Sequence, residues 1–362
     1  MKSNTNAGIL FDVGSLYEHF QALKDSRKAR GKRYSLATIM LLMVLAKLCG
    51  EDQPSGIAEW AQYRADELSE LLQLERKTMP HHSTYRRILG TVIEAEELDQ
   101  LVSTYLTDRQ YSGKQVLVSI DGKTLRGSLN DEQEGTYLLA AYLPAEGVVL
   151  LQVEIEGKEI PAALKLLKQL DLRSKIVMGD ALHTQREASS VIAAAGGDYI
   201  WYAKGNQRQM EEDIRLWFEP EPDPLPGQGH LPKDHESAQQ VSKGHGRLEI
   251  RKLTVSNQLK DFFDWPYLEQ VFTLEHEVKH LKSGTVRKQV IYGFISLSRD
   301  QVSPKELLHL IRSYWGIDNG LHYRRDVTFK EDRTRMRNKN LARAMACLNN
   351  LVLGILPWKR KF

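Results

Sequence analysis

The run Val116-Leu117-Val118-Ser119-Ile120-Asp121-Gly122-Lys123-Thr124-Leu125-Arg126-Gly127-Ser128 decides how the rest of the chain is read. It opens as an apolar, β-branched strand, ends that strand on one carboxylate, and continues into a glycine-bracketed basic turn. Desolvating a carboxylate costs on the order of several kcal/mol unless a cation, a metal ion or a set of donors compensates it. Asp121 is therefore either a structurally paired acid or part of a site. Lys123 and Arg126 stand close enough in sequence to partner phosphate, or Asp121 itself.

Downstream of this run, Thr136 to Leu143 and Val148 to Glu156 read as two further strands, and with Gln115 to Asp121 they suit an antiparallel meander. Pro161 opens an amphipathic helix to Leu170. Lys175 to Asp180 reads as a short buried strand, His183 to Ala195 as a helix and Asp198 to Ala203 as another strand. The order β-β-β-α-β-α-β implies a mixed sheet covered by helices, with crossovers joining parallel strands. Ligands of such sheets bind beyond the carboxyl ends of strands, where Asp121 and Asp180 both fall.

Residues 206 to 290 interrupt the alternation. A helix from Met210 to Phe218 leads into a Pro/Gly-rich loop, Pro220 to Pro232, before strand-like runs at Leu248 to Val255, Gln270 to Val278 and Thr285 to Leu297. These read as a β-rich insertion. Ser303-Pro304-Lys305-Glu306 then supplies an N-cap serine, a first-turn proline and a glutamate at the third helical position. The spacing of Ile311, Trp315 and Asp318 on the helix that follows predicts one shared face, carrying an acid inward.

Upstream, everything to about residue 110 reads as helical. Ser35 is the expected N-cap of a helix from Leu36 to Leu48 that is apolar nearly all round and so belongs at the centre of an N-terminal helical unit. Short helices follow, then Met79-Pro80-His81-His82 breaks the pattern, and Ser83 is expected to cap a short helix bearing Tyr85, Arg86 and Arg87. That arrangement suits either a helix-turn-helix-like DNA contact or a small bundle that touches no DNA.

The chain has 362 residues, is 41% hydrophobic and carries a net charge of +3, with 50 Lys+Arg against 47 Asp+Glu. So slight an excess gives nucleic-acid binding no support unless the cations cluster. Two runs do cluster, from Arg27 to Arg33 and from Arg324 to Arg343, although a solvated face looks the same. Cys49 and Cys347 show no metal-ligand or disulfide spacing. The absence of a signal pattern or bilayer-length apolar run leads to the expectation of a cytoplasmic protein with no membrane partner.

Asp121, Asp180 and Asp318 thus converge in expectation on one region. Carboxylates that close repel one another, and the usual resolution is a divalent ion; oxygen donors without cysteine favour Mg²⁺ or Mn²⁺ over zinc. Two such ions can serve an in-line phosphoryl transfer, which also accounts for basic neighbours.

The run from Asp121 to Ser128, together with Gly179-Asp180-Ala181-Leu182-His183-Thr184-Gln185 and Tyr314-Trp315-Gly316-Ile317-Asp318-Asn319-Gly320-Leu321-His322, resembles the DDE transposases of bacterial insertion sequences. Within these the chain is similar to the group that includes the H-repeat-associated proteins, and Ser35 to Leu89 resembles the helical N-terminal domain of that group. The resemblance implies a ribonuclease-H-like fold, metal-dependent cleavage at insertion-sequence ends, strand transfer into target DNA, and a homodimer or higher oligomer on double-stranded DNA. It implies Asp121 and Asp180 as metal-binding aspartates. The third acid maps to Asp318, where the family normally has glutamate, one methylene longer. Glu331 is its main rival and Asp326 a further one, although both are also placed to pair with Arg324, Arg325 or Arg335. Lys123, Arg126, His183 and Arg325 are candidate DNA contacts, Arg325 because it stands seven positions after Asp318, where related transposases have a phosphate-binding lysine. Lys204-Gly205-Asn206-Gln207 is either a further DNA contact or a simple turn. The expected class is α/β: a ribonuclease-H-like mixed sheet with flanking helices, a β-rich insertion and an all-α N-terminal domain. Expected boundaries are 1–110 for the helical, DNA-binding domain, 111–205 for the first part of the catalytic domain, 206–298 for the insertion and 299–362 for the C-terminal helical part. A catalytically decayed or domesticated DNA-binding protein, motivated by Asp318, and a structure-selective nuclease on the same fold are the alternative functions.

Overall fold

The structure is a computed structural model that describes residues 12–107, 116–128, 135–219 and 233–356. In chain order its elements are α1 (Val13–Gln21), α2 (Leu36–Leu48), α3 (Pro54–Tyr63), α4 (Ala65–Leu71), α5 (His82–Arg87), α6 (Ala95–Thr107), β1 (Val116–Thr124), β2 (Tyr137–Leu143), β3 (Val148–Glu154), α7 (Glu159–Gln169), β4 (Lys175–Met178), α8 (Arg186–Ala194), β5 (Asp198–Ala203), α9 (Arg208–Phe218), β6 (Glu236–Gly244), β7 (Arg247–Ser256), β8 (Gln270–His280), β9 (Val286–Ile295), α10 (Pro304–Tyr314), α11 (Tyr323–Val327) and α12 (Lys339–Ile355). Two π-turns, Ile88–Val92 and Asp318–His322, interrupt the helices.

The strands form one sheet in the order β3-β2-β1-β4-β5-β9-β8-β7-β6. β1 pairs parallel with β4 and β4 with β5, because α7 and α8 supply the crossovers, while β2–β3 and every pair from β5 outward to β6 are antiparallel. This is the mixed α/β sheet with flanking helices that the alternation of elements predicts.

Packing groups the described residues into two units. The first draws on Met1–Gly113, Gly122–Ala162 and Ile317–Phe362. Its core collects Leu16 and Phe20 from α1, Ile39 to Met43 from α2, Leu98 and Val102 from α6, Tyr142 from β2, and Leu348, Leu351 and Val352 from α12. α2 is buried on all sides, as a helix with no polar stripe must be, and Ser35 caps it by accepting from the Thr38 N–H at 3.0 Å. Four polar side chains in this core are linked in series. Asp99 accepts from Arg343 Nε at 2.8 Å and Gln152 Nε2 at 2.7 Å, and the Gln152 carbonyl accepts from Asn350 at 2.7 Å, which ties α6, α12 and β3 together.

The second unit draws on Lys114–Asp121 and Ala163–Gly316. There Ile176 and Met178 of β4, Ile200 and Tyr202 of β5, Phe272 of β8 and Ile295 of β9 pack with Leu307, Leu308 and Ile311 of α10. The capping box at Ser303 and Glu306 is formed as predicted.

Several local expectations are corrected. β6, Glu-Ser-Ala-Gln-Gln-Val-Ser-Lys-Gly, is a strand that no hydrophobic alternation announces; it is held by main-chain pairing to β7 and is largely solvated. His81, not Ser83, caps α5. α8 starts only at Arg186, after a 3-10 turn at Ala181–His183. α10 ends at Tyr314 and leaves Trp315 53% exposed, so Trp315 and Asp318 do not continue the buried face of Ile311.

Lys47 is the one cation of α2, and burial pushes it down to about 8 against the upward pull of Asp52, 4.0 Å away, and of Glu331. In the unfolded chain the same lysine titrates near its ordinary 10.5, so between these values the unfolded chain binds more protons. Stability from this group therefore rises with pH across that window. Urea unfolding of wild type and Lys47→Met is expected to show the wild type gaining stability relative to the variant between about pH 8 and 10.5; parallel pH curves would refute this.

Candidate active site

In the second unit, the parallel register pairs Ser119 with Met178, and two positions beyond each stands its acid. Asp180 lies just past the end of β4, and Asp121 is still within β1, which runs on to Thr124 and does not end on the acid as expected. The strand ends approach closely at Gly179, where a Cβ would come within 2.9 Å of both the Ile120 and His183 side chains. Asp180 is exposed and begins the 3-10 turn by accepting from the Leu182 N–H at 2.8 Å. His183 is only 2% exposed, with Nε2 4.0 Å from the Asp180 carboxylate. Its ring thus lies buried beneath the Asp180 turn.

The Lys204 to Gln207 turn is spent on the same feature. Asn206 Nδ2 donates to the Ala181 carbonyl and Gln207 Nε2 to the Thr184 carbonyl at 3.2 Å, while the Thr184 hydroxyl donates to the Tyr202 carbonyl at 2.9 Å. Two amides that sequence reasoning offered to DNA instead hold the turn that carries Asp180.

The remaining candidates belong to the first unit. Asp318 opens the π-turn Asp318–His322 and is exposed. His322, at the other end of that turn, offers a ring nitrogen within 4.8 Å of an Asp318 carboxylate oxygen. π-turns recur at functional sites because the wider turn re-aims side chains that an α-helix would place elsewhere. The close packing of Gly320 against the Tyr142 hydroxyl leaves no room for a Cβ in this one. The turn also resets the helix phase. Residues seven apart on an unbroken α-helix face nearly the same way, with a drift of only about 20°. Here Asp318 points to solvent and Arg325 is 0% exposed.

Arg325 and Glu331 form one buried pair, Nε to Oε2 at 2.8 Å, and the second Glu331 oxygen accepts from Asn349 Nδ2 at 2.9 Å. Arg325 is therefore not presented to a phosphate, and Glu331, 2% exposed, is committed to the core. Asp326 ion-pairs with Lys123, whose ammonium also lies 3.7 Å from Asp332. Arg126 is 3.8 Å from Asp332, with a side chain 76% exposed. Next to Asp121, Gly122 packs against the Tyr137–Glu159 hydrogen bond of 2.6 Å so tightly that a Cβ would collide with both side chains.

The exposed or half-buried aspartate oxygens suit a hard divalent cation, the His322 imidazole is a borderline donor, and Cys49 and Cys347 are free thiols outside the acid motifs. His322 and the Asn206–Gln207 clasp are the features that motif reading missed. For His322 the available signal was its place four residues after Asp318.

A mixed α/β sheet with Asp121 on one strand and Asp180 just past its parallel neighbour defines the general class of this protein. Comparison with known proteins then fixes the family. The model described as Transposase DDE domain matches residues 96–355, and that described as DDE_Tnp_1-associated matches 17–106. YbfL of Escherichia coli strain K12 is 28% identical over 365 residues, covering 97% of this chain and 92% of YbfL. The H repeat-associated protein YhhI of the same strain is 27% identical over 365 residues, with the same coverage of 97% and 92%. Among solved structures, a piggyBac transposase synaptic complex with hairpin DNA aligns over 96% of this chain and 75% of that chain, at 10% identity and a TM-score of 0.44. The chain belongs to the DDE-domain transposase family.

Burial separates the two rival acids experimentally. Glu331→Gln breaks a buried pair and leaves Arg325 uncompensated, a loss of about 3–5 kcal/mol. Asp318→Asn, on an exposed turn, is expected to change stability by less than about 0.5 kcal/mol. Thermal or urea unfolding of the two variants checks this; equal destabilisation would overturn the division of roles.

Proposed function

We propose that the chain is an active transposase that cleaves phosphodiester bonds at insertion-sequence ends and joins the resulting 3′-hydroxyl to target DNA. The observation that carries this reading is the delivery of Asp121 and Asp180 to one sheet edge by the β1–β4 pairing, in a chain of the DDE family. Asp121, Asp180 and Asp318 act as the metal-holding triad, for Mg²⁺ or Mn²⁺ and with two ions. Bound there, divalent ions supply Lewis-acid activation of the attacking oxygen and neutralise charge on the leaving oxygen. The Asp180 carboxylate is held by the bond from the Leu182 N–H, and the turn behind it by the side-chain amides of Asn206 and Gln207. His322 adds a nitrogen donor beside Asp318. Lys123 and Arg126 serve as phosphate contacts that exchange Asp326 and Asp332 for the DNA backbone, since a bound phosphate competes directly with a carboxylate for the same cation. The working assembly is a homodimer or higher oligomer on paired ends. Among the described residues no helix is long and apolar enough to cross a membrane.

The shorter side chain of Asp318 motivates a second reading, a DNA-binding protein without catalysis. Asp121→Asn is expected to lower Mg²⁺-dependent cleavage of terminal-repeat DNA by about a thousandfold or more while leaving DNA affinity within about twofold. Full activity in Asp121→Asn would sink the site assignment. Wild-type protein that binds the ends but neither cuts nor joins with Mg²⁺ or Mn²⁺, with no gain on Asp318→Glu, would establish the second reading. Hydrolysed strands that are never joined would identify a nuclease.

A further inference from the structure

The first unit contains a cleft of about 460 Å³ whose walls carry Arg33, Tyr34, Arg76, Thr78, Thr84 and Arg87. The three arginines come from separate segments: the turn before α2, the stretch between α4 and α5, and the end of α5. All three are exposed, and among the described residues none makes an ion pair. Arg27, which also lines the cleft, shows the contrast. It is clasped by Asp25 through Nε and Nη2, each at 2.9 Å, and its charge is answered.

Like charges gathered in one concavity repel, and nothing in the local fold compensates Arg33, Arg76 and Arg87. The walls are nonetheless fixed. The Tyr34 hydroxyl donates to the Thr78 carbonyl at 2.6 Å and lies 2.9 Å from the Thr78 hydroxyl, which ties the segment before α2 to the one before α5. Met79 at the cleft is 8% exposed, so the cations are mounted on a packed base and not on a free loop. Preformed guanidinium forks match the paired oxygens of phosphate better than any neutral ligand does.

We propose that this cleft grips the phosphodiester backbone of duplex DNA, at a place separate from the carboxylate motifs. The proposal rests on DNA being the substrate, as argued above. Because the lining offers chiefly charge and hydroxyls, with the Tyr34 hydroxyl already bonded to Thr78 and His81 Nδ1 to Ser83, the grip is independent of sequence, and it positions the duplex while other contacts select it.

The test uses the full-length protein in EDTA and labelled duplexes, one carrying the terminal repeat and one a scrambled sequence of equal length. Affinity is read by fluorescence anisotropy between about 50 and 200 mM salt. Replacing Arg33, Arg76 and Arg87 together by glutamine is expected to weaken binding of both duplexes about tenfold or more and to reduce the log–log salt slope by about 2 to 3, since each phosphate contact contributes about 0.9. A melting curve confirms that the triple variant is folded. Unchanged affinity and slope in the folded variant would overturn the proposal. So would competition by inorganic phosphate for the three arginines with DNA binding unaltered, which would make the cleft a small-anion site. Absence of binding to either duplex by wild type would instead overturn the functional reading on which the proposal stands.

Discussion

Parallel hydrogen bonding between β1 and β4 is the constraint on which the acid edge depends. The strands reach the same end of the sheet only because their register is set, Val116 to Lys175 through Ser119 to Met178. A slip of one residue would turn every side chain of β1 to the opposite face and remove Asp121 from the neighbourhood of Asp180. Register is secured by apolar residues on both faces, Leu117, Val118 and Ile120 against Ile176, Val177 and Met178, all buried. The price of this arrangement is crowding at the strand ends, visible at Gly179, where the Ile120 and His183 side chains occupy the space a Cβ would need.

A different kind of constraint governs the first unit, where charge is taken into the core and answered there. Arg325, Glu331 and Asn349 form one such set; Asp99, Arg343, Gln152 and Asn350 form another. Buried pairs contribute little net stability compared with apolar packing, yet removing one partner is costly, so they make certain alternative packings expensive. The segment from Asp318 to Glu331 is anchored at its far end by such a pair and bent at its near end by the π-turn. The acid stays at the surface while the arginine seven positions on is sequestered.

How far the sequence discloses all this depends on the physics behind each feature. α2, β5 and the α10 capping box were legible because a helix apolar all round, a short β-branched and aromatic run, and a Ser-Pro-x-Glu signature each specify one local structure. Asp121 and Asp180 drew attention in the sequence for a related reason: an acid on or just past a buried strand is costly enough to need explanation. The π-turn was not legible, since a wider helical turn leaves no mark in hydrophobic periodicity, and with it went the burial of Arg325; the exposure of Trp315 follows from the end of α10 at Tyr314. Nor could sequence show that Asn206 and Gln207 spend their amides on Ala181 and Thr184, because a surface turn and a DNA contact draw on the same residues. β6 escaped because its pairing is carried by the main chain alone.

That last strand carries a further consequence. As the terminal strand of its end of the sheet, β6 has, among the described residues, one row of main-chain donors and acceptors without a neighbouring strand, the template on which proteins stack into fibres. Its composition counters this: Glu236 at one end, Lys243 at the other, glutamines between them, and Val241 its only large apolar side chain. The polarity that hid β6 from pattern reading also makes edge-to-edge pairing of two copies of the chain less favourable.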